Sequence, residues 1–211
     1  MSRAVSKSEV RQENERAILD AAEAVFAEYG FKGATTQMIA ERAGLPKANL
    51  HYYFPTKEAL YRRVVNTIFE IWLEAAGTFD DCDDPVEALS RYIDAKMEIS
   101  RARPMGSKVW ANEVMQGAPV IQDYLETTLR DWTDSRIAEI QRWIDAGQIS
   151  AIDPRHLLYM IWATTQHYAD FGHQISTLND GRPLSEAQWA AAKRDVTRII
   201  LTGIGALPVE R

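Results

Sequence analysis

Between residues 14 and 29 the apolar side chains fall at Ile18, Leu19, Ala22, Val25, Phe26 and Tyr29. Steps of three and four put them along one side of an α-helix. Gly30 then stops the pattern, since glycine enters the left-handed conformation of a helix end without strain. Thr35 or Thr36 can cap a short second helix with Ile39, Ala40 and Ala43 turned inward, and Gly44 ends it. A third short helix is predicted over residues 46–53. Thr56 caps a fourth over residues 57–76, in which Leu60, Val64, Ile68, Ile71 and Trp72 keep helical spacing. At ~1.5 Å per residue this helix is a rod of about 30 Å.

Further along, residues 78–84 carry four Asp but lack the ligand spacing and closing Glu of a calcium loop, so they read as a solvated connection. Helices are predicted over residues 85–101, 105–116, 119–146, 154–172 and 185–203, with good starts at Asp84-Pro85 and Asp153-Pro154. No segment alternates with a two-residue period, so the chain is expected to be all-α.

Composition narrows the class. With 211 residues, 46% hydrophobic and 26% charged, the chain is an ordinary globular protein. Its single cysteine, Cys82, excludes an intramolecular disulfide. The absence of a signal peptide or a membrane-length apolar run leads to the expectation of a cytoplasmic protein with no membrane partner. The net charge of −6 argues against nucleic acid until it is divided: residues 1–66 hold ten Lys or Arg against eight Asp or Glu, giving +2, which leaves −8 for the rest. A weakly basic N-terminal part can still bind DNA if its few cations share one face.

The second and third helices, joined by a glycine turn, describe a helix-turn-helix. Lys47 can reach phosphate or guanine, Asn49 offers the paired donor and acceptor that fit adenine, and the Tyr52 hydroxyl can bond phosphate. Residues 33–45, Gly-Ala-Thr-Thr-Gln-Met-Ile-Ala-Glu-Arg-Ala-Gly-Leu, followed by Asn49-Leu50-His51-Tyr52-Tyr53-Phe54 and Thr56-Lys57-Glu58-Ala59-Leu60-Tyr61, resemble the signature of the TetR family of transcription regulators. The resemblance implies an N-terminal three-helix helix-turn-helix domain at residues 1–56, with residues 1–12 a disordered or helical arm. It implies a C-terminal helical bundle at 57–211 for ligand binding and dimerisation. Its DNA-contacting positions correspond to Thr36, Lys47, Ala48, Asn49, Tyr52 and Lys57, and Gln37 and His51 complete the candidate face. Pro46 stands where the family usually has a capping Ser or Thr, and His51 where a phosphate-binding Tyr is frequent.

In the C-terminal part, Trp162, Gln166 and Asp170 recur at i, i+4 and i+8, which sets an indole, an amide and a carboxylate on one face of a core helix. Buried polar groups need partners, supplied either by other helices or by a ligand. This helix, with Phe69-Glu70-Ile71-Trp72-Leu73 and residues 112–119, resembles the pyrimidine-utilisation regulators of the RutR type within the TetR family. That resemblance implies an effector such as uracil or thymine, with Trp72 and Gln166 as ligand contacts. Trp110 is a further large aromatic that either lines or fills the expected pocket. The implied partners are pseudo-palindromic operator DNA, the small molecule, and a second copy of the chain joined through the last two long helices. Those helices carry Tyr159, Ala163, Ala191, Val196, Ile199, Ile200 and Ile204.

Catalysis finds little support. The four histidines lack zinc-ligand spacing, and no Gly-rich phosphate loop or Gly-x-Ser-x-Gly elbow is present. No catalytic residue, metal or cofactor is therefore expected. The alternatives are a regulator of the same family with another ligand, a helical adaptor, which would lack salt-dependent DNA affinity, and an enzyme.

Overall fold

The computed structural model describes residues 6–77 and 82–207, apart from the side chains of Lys7 and Ala76. Every regular element among them is helical. In chain order these are α1 (Lys7–Gly33), α2 (Thr36–Ala43), α3 (Lys47–Tyr53), α4 (Lys57–Ala76), α5 (Pro85–Ala102), α6 (Pro104–Met115), α7 (Gln122–Tyr124), a π-helical turn (Leu125–Leu129), α8 (Arg130–Asp145), α9 (Pro154–Asp170), α10 (Gly172–Leu178) and α11 (Glu186–Gly203). Two compact units result, Met1–Phe69 with Lys108–Ile121, and Glu70–Ser107 with Gln122–Arg211. Both α4 and α6 continue from one unit into the other.

In the first unit, α1 starts earlier than its apolar stripe. Ser6 Oγ accepts from the Glu9 N–H (3.1 Å) while the Glu9 carboxylate accepts from the Ser6 N–H (2.6 Å), a reciprocal cap that starts the helix without apolar packing. Gly30, at φ +66°, breaks the helical path where the sequence predicts. Thr35, rather than Thr36, caps α2 by accepting from the Met38 N–H at 3.2 Å. Gly44 (φ +67°) turns the chain as the Leu45 N–H reaches back to the Ala40 carbonyl (3.0 Å), sealing the end of α2. Pro46 precedes α3, and its carbonyl accepts from the Asn49 N–H at 2.9 Å, so the helix starts without a side-chain cap. Ile18, Ala22, Val25 and Phe26 of α1, Ile39 and Ala40 of α2, Leu50 of α3 and Leu60, Val64 and Ile68 of α4 are buried.

Residues 108–121 add a buried polar joint to this unit. Glu113 accepts from the Tyr61 hydroxyl (2.8 Å) and from the Val120 N–H (2.7 Å). Burial and the adjacent carboxylate both hold the Tyr61 phenol well above its ordinary pKa.

The second unit packs Leu89, Ile93 and Met97 of α5, Ile140 and Trp143 of α8, Leu157 and Ile161 of α9, and Trp189, Val196 and Ile200 of α11 into one core. Asp84 and Asp153 cap α5 and α9 as expected, and Ser185 with Gln188 forms a capping box on α11. The expected helix over 119–146 begins at Gln122 and passes through the π turn, where the Thr133 hydroxyl donates to the Leu129 carbonyl at 2.7 Å. The sequence left α10 unassigned. The Asp-rich connection falls partly outside the described residues, at 78–81. Among the described residues no helix is long and apolar enough to cross a membrane.

The apolar stripe assigned to the dimer seam divides. Val196, Ile200 (4% exposed) and Ile204 belong to the chain's own core, whereas Tyr159, Ala163 and Ile199 (65% exposed) stand in solvent. Adjacent positions on α11 therefore face different surroundings, and a charge at Ile200 would disrupt this chain's core before any contact between chains.

Candidate functional site: a DNA-reading helix and a polar effector face

Helix α3 is tied down by few residues. Leu50 is fully buried and Phe54 follows it inward, while Lys47, Ala48, Asn49, His51 and Tyr52 (72% exposed) all stand in solvent. The Tyr52 ring is steadied edge-on by Tyr53, with centroids 5.3 Å apart. On α2, Thr36 is half-buried and its hydroxyl is not used by the cap, and Gln37 donates to the Glu41 carboxylate at 2.7 Å. Lys57 is engaged within the unit: its ammonium donates to the carbonyls of Phe31 (2.7 Å) and Ala34 (2.9 Å) and lies 4.6 Å from the Phe31 ring centre. It clamps the end of α1 to the start of α4, and two of its three N–H donors are committed to that clamp.

The polar face of the second unit is built from α4, α5, α6 and α9. Trp162 donates its indole N–H to the Tyr92 hydroxyl at 2.8 Å, and its ring adjoins Trp132 (6.2 Å) and Tyr159 (5.7 Å). Asp170, two turns along α9, accepts from the Ser107 hydroxyl at 2.6 Å. Opposite on α5, one turn beyond Tyr92, is Lys96, only 5% exposed, with its ammonium 4.5 Å from the centre of the Trp72 ring. Burial pulls the Lys96 pKa down to about 8, and the attraction of Asp170 acts in the other direction. Gln166, between Trp162 and Asp170 on the same face of α9, is half-buried. Neither its amide nor the Lys96 ammonium has a hydrogen-bond partner among the described residues.

Trp72, Trp162, Gln166 and Asp170 thus all belong to the second unit. Trp110 belongs to the first, where it is buried and stacked on Phe69 with 25° between planes and centroids 5.6 Å apart. Sequence reasoning missed Tyr92, Lys96 and Ser107. The first two were within reach: Tyr92, Lys96 and Ser100 recur at i, i+4 and i+8 on the core face of α5, the same polar interruption that singles out α9.

With this geometry in view, comparisons with known proteins identify the chain. Residues 18–64 match the family model described as bacterial regulatory proteins, tetR family, and residues 65–207 match that of the YcdC-like protein, C-terminal region. The HTH-type transcriptional regulator RutR of Escherichia coli strain K12 is 41% identical over 203 residues, covering 96% of this chain and 93% of that protein. Among solved structures, a ketosteroid transcriptional regulator of Mycobacterium tuberculosis superposes with a TM-score of 0.73 at 20% identity, covering 90% of this chain and 94% of that one. The regulator FadR of Bacillus subtilis, solved with stearoyl-CoA, gives 0.65 at 18% identity, covering 92% and 99%. At such identities these two speak for the fold alone. The two family models and the full-length relative agree, and the chain belongs to the TetR family: it is a transcriptional regulator rather than an enzyme.

Proposed function

We propose that this regulator binds a pseudo-palindromic operator as a homodimer, and that a pyrimidine base such as uracil or thymine, held in the second unit, weakens that binding. DNA contact falls to Lys47, Ala48, Asn49, His51 and Tyr52 on α3, with Thr36 and Gln37 beside them and the remaining donor of Lys57 at the start of α4. The observation that carries the effector reading is a buried ammonium, Lys96, over the Trp72 ring and in the field of Asp170, with the half-buried Gln166 amide on the same face of α9 as Asp170, neither with a hydrogen-bond partner among the described residues. A buried ammonium is costly unless hydrogen bonds and a counter-charge replace its water, and a ligand acceptor can supply them. An imide ring offers carbonyl acceptors, an N–H donor and a flat face, which complements an amide, a cation and an indole. The resemblance to pyrimidine-utilisation regulators points the same way.

Coupling follows from α4. Trp72 and Lys57 both belong to α4. A base packed on Trp72 biases the helix whose first turn clamps the DNA-binding unit, so effector and operator oppose each other reciprocally. Dimer contact is assigned to the exposed apolar residues of α9 and α11, Tyr159, Met160, Ala163 and Ile199. Ile199→Glu is expected to give a folded monomer in sedimentation, and a parent protein that stays monomeric at all concentrations contradicts the dimer. Calorimetric titration with uracil and thymine tests the effector: binding with fixed stoichiometry is expected, and no heat from either base at millimolar concentration overturns the pyrimidine reading.

A further inference from the structure

Packing alone does not account for Lys96. The residue sits on the core face of α5 among Leu89, Ile93 and Met97, where a methionine fills similar space without charge. A buried ammonium is unfavourable unless hydrogen bonds and a counter-charge replace its water. The fold supplies this in part: the Trp72 ring at 4.5 Å and the field of Asp170, but no hydrogen bond among the described residues. One Asp170 oxygen is already occupied by the Ser107 hydroxyl. The Lys96 ammonium is therefore held, stripped of most of its water, over one face of an indole. A flat ring packed against the same indole beside the ammonium, and carrying an oxygen acceptor at the edge turned to Lys96, supplies the hydrogen bond the fold leaves out.

From this geometry we infer that Lys96 is a specificity-determining effector contact, whose ammonium donates to a ring carbonyl oxygen of an oxo-pyrimidine packed against Trp72. The inference rests on the pyrimidine reading and sharpens it: the required feature is a carbonyl oxygen placed at Lys96, alongside the groups that pair with Gln166. It also explains why the chain keeps a cation in its core, since the ammonium's missing partner arrives with the effector.

The test exchanges one oxygen at a time on the ligand and one donor on the protein. Binding of uracil, 2-thiouracil and 4-thiouracil is measured by calorimetry for the full-length parent, Lys96→Met and Lys96→Arg, with thermal melting to establish that each is folded. Sulfur is a much weaker acceptor than oxygen, so one of the two thio compounds is expected to bind the parent at least about fivefold more weakly than uracil. Lys96→Met is expected to lose about tenfold or more in uracil affinity and to lose that discrimination, because the donor that sensed the oxygen is gone. Lys96→Arg keeps a cationic donor and recovers part of both. If the parent does not distinguish the two thio compounds from uracil, or if Lys96→Met binds uracil as tightly as the parent or keeps the discrimination, Lys96 is not a contact and the inference is overturned with the pyrimidine reading intact. If the parent binds neither uracil nor thymine, the pyrimidine reading itself fails and takes this inference with it.

Discussion

The polar faces of α3 and of α5 with α9 are built on opposite terms. On α3, Lys47, Asn49, His51 and Tyr52 remain in water, and one fully buried residue, Leu50, with Phe54 behind it, secures the helix. In the second unit Lys96 is taken into the core and Gln166 half-way, so their desolvation is incurred when the chain folds. A DNA-reading face gives up its water only on binding. On the proposed roles, polar substitutions on α3 are expected to alter affinity and spare stability, while removal of the buried Lys96 charge is expected to alter both, in opposite directions.

The largest effect strikes the attachment of α3. Leu50→Ala removes its one fully buried side chain and is expected to cost about 2–5 kcal/mol in chemical denaturation, with operator binding lost because the helix is no longer held. A stability change below about 1 kcal/mol breaks the idea that one residue carries the attachment.

Lys96→Met is expected to act in the reverse sense. With a folded-state pKa near 8 against an ordinary 10.5, the buried ammonium destabilises the parent fully below pH 8. That penalty is relieved as the pH rises from about 8 towards 10.5, because in this window the unfolded chain binds more protons than the folded one. The variant should thus be more stable than the parent at pH 7, on the order of 2–3 kcal/mol, while binding effector more weakly. Its advantage should shrink as the pH climbs through that window. Urea denaturation at pH 7 and pH 10 measures this, and a variant less stable than the parent at pH 7 means that Lys96 holds the core together.

The smallest effect on stability belongs to the exposed face. Lys47→Ala should change folding stability by no more than about 0.5 kcal/mol. In operator titrations over a range of salt it should lower the dependence of log affinity on log salt by about one unit, the mark of one lost phosphate contact. An unchanged slope removes Lys47 from the phosphate contacts.

The same contrast decides what could be read from the sequence. The helix-turn-helix was legible because its determinants are local: the spacing of Ile39, Ala40 and Leu50, the glycines at 30 and 44, and Pro46 at the entrance to α3. The early start of α1 was also written locally, in Ser6 and Glu9, but a polar first turn carries no apolar stripe to draw notice. Helix α10 has no fully buried residue, so its sequence lacks a periodic signal altogether. On α11, periodicity marks Ile199 and Ile200 equally as apolar, yet only the packing separates the core residue from the solvent-facing one. Trp162, Gln166 and Asp170 stood out as polar groups in an apolar helix. Tyr92 and Lys96 keep the same spacing on α5 but were passed over, because a lysine ordinarily reads as a surface residue, and the partner of Glu113 is Tyr61, 52 residues away. Contacts between distant segments are set by the whole fold and leave little trace in any one window of sequence.

If a base held by the second unit governs the grip of α3 on DNA, fluorescence anisotropy of an operator duplex, selected by the protein from a random pool, should report it. For the parent, saturating uracil or thymine is predicted to weaken operator binding about 5- to 150-fold, a coupling on the order of 1–3 kcal/mol. For Gln166→Ala, operator affinity without effector should equal that of the parent and should no longer respond to the base. Operator affinity of the parent that is unmoved by millimolar uracil and thymine would mean that neither base controls DNA binding.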